Sequence, residues 1–266
     1  MEPNATAGAT ATPTARRGLA DSRVLVVGVG ALGGPAAWHL ASAGVGTLAL
    51  IDPDRVELSN LHRQILHRTS SLGTDKVVSA ATRLRQRFPT INIETHATAL
   101  DRDNFPELFG AADFIVDATD GVAAKFLIND GAVHCRRPFS HAGIIGFLGQ
   151  TMTVLPGRTA CYRCLFPEPP APGEIPSCQE AGVVGAIAGV IGALQAAEAI
   201  KYLTGEGELL ADRLLTYDGL AGRWRTIRLA RNPRCPVCAD EHGRSTPTDE
   251  MADRPFSSTG KPRYGG

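Results

Sequence analysis

Three glycines, Gly28, Gly30 and Gly33, occur in the stretch RVLVVGVGALGG at the spacing G-x-G-x-x-G, between an apolar β-branched run and a run of helix formers. Glycine there permits a tight turn and lets backbone amides approach a phosphate, with the partial positive charge of a helix N-terminus behind them. About twenty residues on, Asp52 ends the next apolar run, where a carboxylate can accept hydrogen bonds from a ribose. A glycine-rich turn with no ligand would need neither the acid nor its position. The motif does not separate NAD from FAD or from an adenine triphosphate.

Phosphate count separates them. A dinucleotide pyrophosphate carries about two negative charges, which amides and a helix dipole can hold. ATP carries about four, and transfer of its α-phosphate also requires a stabilised pyrophosphate, which calls for cationic side chains and a magnesium ion with a carboxylate ligand. The sequence supplies that set. Arg63 and Lys76, with Asn60 and Gln64, follow the second strand, and Asp120 follows the fourth, at the edge where doubly wound sheets bind ligands. Taken singly, Lys76 reads as a solvated lysine, Arg63 as a surface ion pair, and Asp120 as a helix N-cap ahead of Gly121. Together around one crevice they point to a triphosphate.

Cysteine spacing points to a second chemistry. Six cysteines occur in a chain whose first residues, MEPNATAGATATPTARRG, are small and polar, so neither an export signal nor a disulfide framework is expected. Cys161 and Cys164 in CYRC, with Cys235 and Cys238 in CPVC, are paired C-x-x-C knuckles whose four thiolates can close a tetrahedral zinc site. With no open coordination position that zinc would be structural; redox dithiols are the competing reading. Cys178, in PSCQEAG, precedes a glycine-rich helix whose N-terminus could lower its pKa, which makes it a candidate catalytic thiol beside the reading of a plain loop thiol. Cys135 reads as a small core residue.

These residues need a frame. At 266 residues, with 43% hydrophobic and 20% charged residues and zero formal net charge, the chain has the composition of a soluble globular protein, and nothing in it suggests a nucleic-acid partner. Val24 to Val27, Thr47 to Ile51, Ile91 to Ala97 and Asp113 to Thr119 read as strands. Gly33 to Ala43, Thr74 to Pro89 and Lys125 to His134 read as helices, with Pro35 tolerated in a first turn. From Pro138 the pair PFSHAGIIG and GQTMTVLP, then Leu214 to Tyr217 and Arg223 to Leu229, suit antiparallel strands. Ala181 to Ile200 is long and apolar enough to span a bilayer, but Gln195 and Glu198 interrupt it. Gly182, Gly185, Gly189 and Gly192 give it one smooth face, so it reads as a buried core or dimer-interface helix and not as a membrane span. The expected fold is α/β, a Rossmann-like doubly wound and mostly parallel sheet extended by antiparallel strands, with a four-cysteine zinc site. It should occupy residues 21–239, between a disordered arm (1–20) and a flexible tail (240–266), in a cytoplasmic protein.

In this order, GVGALGG, ASAGVGTLALIDPDRVELSNLHRQ, DATD, CYRC, GVIGALQAAEAIKYL and RNPRCPVC resemble the adenylating enzymes that activate sulfur-carrier and ubiquitin-like proteins, over Ser22 to Cys238. That family takes in the molybdopterin-synthase and thiamine sulfur-carrier adenylyltransferases and is related to the ubiquitin-activating enzymes. The resemblance implies ATP-dependent adenylation of the C-terminal glycine carboxylate of a small ubiquitin-like carrier ending in Gly-Gly, with release of pyrophosphate. It implies that Asp52 binds the ribose and that Ser59, Asn60, Arg63 and Gln64 line the nucleotide and its phosphates, with Asp54 in the same set. It implies further that Lys76 touches phosphate, that Asp120 engages magnesium, and that Cys178 stands where the thiamine branch uses a thiol in sulfur chemistry. The chain departs from the family at Ala31 and Gly121, where a glycine and an asparagine are common. Its arm carries only Arg16 and Arg17 in place of an Arg-x-x-Arg-like element that serves a partner subunit.

A carboxylate is ionised at neutral pH and attacks without a general base, which agrees with the lack of any Ser-His-Asp arrangement. The expected cofactors are ATP, magnesium and zinc. The expected partners are the carrier, a separate sulfurtransferase (no rhodanese-like run follows CPVC) and a second copy of the chain. A non-catalytic scaffold of the same fold, a nicotinamide oxidoreductase and a tRNA-modifying dehydratase are the competing functions. The terminal RYGG matches a carrier tail in letters only, since nothing here encodes a ubiquitin-like fold.

Overall fold

Alternate residues of the central strands sort into two separate cores. In β1 (Arg23–Val27), Val24 and Val26 join one apolar cluster and Leu25 and Val27 the other. β2 (Thr47–Ile51) and β4 (Phe114–Asp117) divide the same way: Leu48, Leu50, Phe114 and Val116 face one side, Ala49, Ile51 and Ile115 the other. Side chains of a strand alternate across a sheet, so runs apolar at every position form only where both faces are covered. The structure is a computed structural model and describes residues 18–171 and 182–239.

One face is covered by α1 (Gly33–Ser42), α2 (Lys76–Arg87) and α6 (Gly185–Thr204). In α2, Val77, Ala80, Ala81 and Leu84 fall at helical spacing and are buried, while Phe88 ends the helix ahead of Pro89. The other face is covered by α3 (Phe105–Ala111) and α4 (Val122–His134), with the short α5 (Tyr162–Leu165) beside α4. Sequence periodicity did not single out α3, a seven-residue helix with Pro106 in its first turn. The α4 helix starts at Val122, a turn earlier than Lys125, and its N-cap is Gly121; Asp120 is therefore not the cap.

Eight strands form one sheet in the order β3-β2-β1-β4-β5-β6-β7-β8. With β3 (Asn92–His96) and β5 (Phe139–Ile145), the first five strands run parallel. Strands β6 (Leu148–Val154), β7 (Arg213–Asp218) and β8 (Arg223–Arg228) extend the sheet antiparallel, and β8 is exposed along its whole length. The chain leaves β1 toward β2 and β3 on one side and returns to β4 on the other. That reversal opens a crevice at the carboxyl ends of β1 and β4, the usual ligand position in such sheets.

Helix α6 is a core helix. Half of its most apolar stretch is buried within the fold (50%), although by length and composition it could cross a membrane. Gln195 donates to the carbonyls of Asp117 and Ser140, and Glu198 accepts from Thr153 Oγ1 and the amide of Leu210. Its glycines seat it on its own chain: a Cβ at Gly192 would lie 2.3 Å from the carbonyl oxygen of Leu32, and one at Gly185 would lie 3.1 Å from Cα of Arg63. Of the glycines within the helix, only Gly189 faces open space. The helix begins at Gly185, and Gly205, left-handed at φ 78°, closes it by donating to the carbonyl of Lys201.

Candidate functional site

The glycine loop occupies the crevice between β1 and β4. Gly28 is left-handed (φ 86°), and a Cβ there would meet the carbonyl oxygen of Ala118 at 2.8 Å. A Cβ at Gly33 would fall 1.8 Å from the carbonyl oxygen of Gly28, so the first turn of α1 can close on the loop only without a side chain. Asp52, buried at the end of β2, accepts from the amide of Val29 (2.8 Å) through Oδ2 and from that of Asp54 (2.9 Å) through Oδ1. Burial pushes its carboxyl up from the usual range, against the pull of Lys76 and of these two amides. The acid therefore shapes the glycine loop as well as facing the crevice. His67, which sequence reasoning missed, does the same: its Nε2 donates to the Val29 carbonyl (3.1 Å) and its Nδ1 meets Ser79 Oγ (3.0 Å). Burial holds that ring below the usual imidazole range, hence neutral.

The segment after β2 supplies the cations. Lys76, first residue of α2, is 6% exposed, and its Nζ lies 2.7 Å from Asp54 Oδ2; it is not a solvated lysine. Its charge is felt by both Asp52 and His67, the two side chains that grip Val29. Arg63 is half-buried and donates from Nη1 to the carbonyl of Ser59 (3.0 Å), with no carboxylate partner among the described residues. Ser59 and Asn60 hydrogen-bond Glu57 and each other. Gln64 donates to Asn60 Oδ1 (2.8 Å) beside Gly30, and its Oε1 is buried with no partner among the described residues. A buried carbonyl oxygen without a donor is a place for a ligand donor.

Asp120 is exposed just past β4, and a buried network holds the loop that carries it. Asp117, with no exposed surface, accepts from Thr119 Oγ1 (2.7 Å) and from the Thr119 amide (3.2 Å), and meets His141 Nδ1 at 2.9 Å. Lys125 reaches from α4 to the carbonyls of Thr119 (2.7 Å) and Ala142 (2.6 Å) and to Asp117 (3.4 Å). Burial alone would raise the Asp117 carboxyl; Lys125, then His141 and Thr119, outweigh it and hold it down at about 2. Along α4 a cavity of about 300 Å3 lies between Leu100, Asp101 and Arg102 after β3 and Ala124, Leu127 and Asp130 of the helix. No motif marks these residues, because an apolar cavity needs shape and not a fixed residue spacing.

On the same face as α4, the four motif cysteines meet. All four sulfurs lie within 4.8 Å of one another, with Cys161–Cys235 at 3.5 Å, Cys164–Cys238 at 3.4 Å and Cys161–Cys164 at 3.9 Å. Thiolates bound to one tetrahedral zinc at about 2.3 Å stand about 3.8 Å apart, so the arrangement fits such an ion, and no pair is at disulfide distance. Hydrogen bonds, first from Cys161, hold the Cys238 thiol down at about 5, while that same bond and burial push Cys161 up. One thiolate is easy here and four are not, unless a cation joins them. Cys178 lies outside the described residues, as do Arg16 and Arg17.

The model of the ThiF family matches residues 6–237. The chain belongs to the ThiF family. Among its relatives, the sulfur carrier protein adenylyltransferase of Thermus thermophilus is 44% identical, over 86% of both chains. The SAMP-activating enzyme E1 of Haloferax volcanii is 42% identical over 86% of this chain and 84% of its own. The adenylyltransferase and sulfurtransferase MOCS3 of Anopheles gambiae is 46% identical over 84% of this chain, which spans about half of that longer protein (51%). A solved structure of E. coli MccB with ATP shares the fold at a TM-score of 0.72, with 24% identity over 83% of this chain and 67% of that one. The ThiF-family chain thus brings Lys76 to Asp54, Gln64 to Asn60 and Gly30, and Gly28 to the Ala118–Thr119 pair ahead of Asp120.

Proposed function

We propose that this ThiF-family chain adenylates the C-terminal glycine carboxylate of a small ubiquitin-like sulfur carrier ending in Gly-Gly, with ATP as donor and pyrophosphate as product. One observation carries the reading: a buried cation, Lys76, stands beside the glycine loop, where it acts on both residues that grip Val29. A dinucleotide needs no such charge, whereas a triphosphate does. The names of the 44% and 42% identical relatives support the same assignment.

In this reading the adenine enters the apolar cavity at Leu100, Ala124 and Leu127, the ribose faces Asp52, and the phosphates cross the glycine loop toward Arg63 and Lys76. Gln64 Oε1 accepts a hydrogen bond from the nucleotide, and Ser59 and Asn60 line the same wall. Asp120 would hold a magnesium ion, which would supply further neutralisation of the phosphates; one or two carboxylates suffice for that ion. The carrier's carboxylate oxygen forms a bond to the α-phosphorus as the bond to the β-phosphate oxygen breaks. The bonding electrons leave with pyrophosphate, and no proton has to move. The chain's task is to hold two anions in line and offset their repulsion, and positioning of that kind supplies roughly 7–11 kcal/mol.

Zinc held by Cys161, Cys164, Cys235 and Cys238 would be structural, with no open position. Sulfur would come from a separate sulfurtransferase, with Cys178 as the thiol of this chain that could receive it. A cytoplasmic homodimer is part of the same proposal. The test is ATP–pyrophosphate exchange on addition of a Gly-Gly-ending carrier. Exchange that disappears in Asp120→Ala, with folding retained, supports adenylation; no exchange with any such carrier would make the chain a non-catalytic member of the family.

A further inference from the structure

The two residues between the cysteines of CYRC are both tied to α4. Arg163 makes a forked pair with Asp130, Nε to Oδ1 at 2.7 Å and Nη2 to Oδ2 at 2.8 Å, and its guanidinium lies 4.7 Å from the centre of the Phe126 ring. Its Nη1 donates to the carbonyl of Pro167 (2.9 Å), which fills a further donor. The amide of Tyr162 donates to Asn129 Oδ1 (2.8 Å), and its ring packs on Phe126 (5.1 Å) and on His141 (4.5 Å). Phe126 and Asp130 are walls of the 300 Å3 cavity, and Lys125, the residue before Phe126, holds the carbonyl of Thr119 next to Asp120. The knuckle that would grip a metal ion therefore also grips the helix that forms the cavity.

We infer that Arg163 is a positioning residue for nucleotide binding: it fixes α4 to the CYRC knuckle and so sets the shape of the adenine cavity. The inference rests on the adenylation reading for the identity of the ligand. The fork suits the task, because a planar guanidinium paired through two hydrogen bonds and stacked on a ring fixes both distance and angle. Asp130 would otherwise be an unfavourable residue to place by an anionic ligand. Simple charge repulsion predicts that neutralising it tightens ATP binding; positioning predicts that the same change weakens it.

ATP affinity is measured by titration calorimetry on the metal-loaded full chain, for wild type, Arg163→Met, Arg163→Lys, Asp130→Asn and the Arg163→Met/Asp130→Asn double variant, each with its zinc content by mass spectrometry. Loss of one charged fork should weaken ATP about tenfold in Arg163→Met and in Asp130→Asn, with no further loss in the double variant. Arg163→Lys, which keeps the charge but not the fork, should recover about half of that loss on a logarithmic scale. All variants should keep their zinc. Unchanged affinity in Arg163→Met, tighter binding in Asp130→Asn, or loss of zinc in step with loss of ATP would overturn the inference. A wild type that takes up zinc but does not bind ATP would instead reject the adenylation reading, and the role of Arg163 with it.

Discussion

Lys76 and Asp54 form an ion pair with unequal partners: the lysine side chain is 7% exposed, the aspartate 63%. A cation drawn out of water toward an acid that stays in it is held for something other than the pair. Exposed partners contribute little by themselves, because water screens them. Lys76→Met should therefore lower kcat/KM for ATP–pyrophosphate exchange by about 10²–10³-fold, the range for removal of one preorganised charge contact. Asp54→Asn should cost far less. Equal losses in the two variants would show that the ion pair, and not the cation, matters.

The glycine loop separates a packing requirement from a binding requirement. Gly33→Ala sets a methyl 1.8 Å from the Gly28 carbonyl oxygen, so the first turn of α1 has to move, at about 3 kcal/mol. Gly30→Ala meets only the Gln64 amide, at 3.4 Å, and leaves the fold intact. Its methyl nevertheless occupies the surface where phosphate would approach. Urea unfolding should show a large loss for Gly33→Ala and almost none for Gly30→Ala, while calorimetry should show weakened ATP binding in Gly30→Ala.

The sequence announced what depends on spacing and left silent what depends on shape. Gly28, Gly33 and Asp52 were legible because a tight turn and an acid beyond the next strand fix both residue type and interval. The four cysteines were legible because one tetrahedral ion dictates two residues between its ligands. His67 gave no signal, since a neutral ring bridging Val29 to Ser79 looks in sequence like any loop histidine. The cavity at Leu100 and α4 gave none either, because its walls come from separate elements. Arg223 to Leu229 reads as a strand and β8 forms over Arg223–Arg228, yet it is exposed throughout, and no alternation marks a face it does not bury.

Acid should unmask Asp117. Its folded pKa is depressed from 3.8 to about 2, so its contribution is fully present above the unfolded value and is lost as pH falls from about 4 through 2. The shift corresponds to about 2 kcal/mol. The buried rings of His141 and His67, both lowered from 6.5, add loss in the same direction once pH falls below that value. Asp52, whose pKa is raised, acts in the opposite sense. Subtracting the urea-unfolding curves of Asp117→Asn from those of wild type cancels the contributions of His67 and Asp52, which do not touch Asp117. That difference should shrink by about 2 kcal/mol between pH 4 and pH 2.

Metal removal distinguishes a structural zinc centre from a pair of redox dithiols. The cluster joins Cys161 to Cys235 and Cys164 to Cys238, each across 74 residues, from the loop after β6 to the segment after β8. A cross-link over a loop of that length constrains the unfolded chain by about 4 kcal/mol if a metal acts as a disulfide would. A strong chelator should then lower the melting temperature, while a reductant in metal-replete buffer should leave it unchanged. Cys235→Ser should reproduce the chelated value, because three thiols with a weak fourth ligand hold zinc far less tightly. The opposite pattern, sensitivity to reductant and indifference to chelator, would mean that these sulfurs are bonded to each other in pairs and that no ion ties the sheet's outer edge to α4.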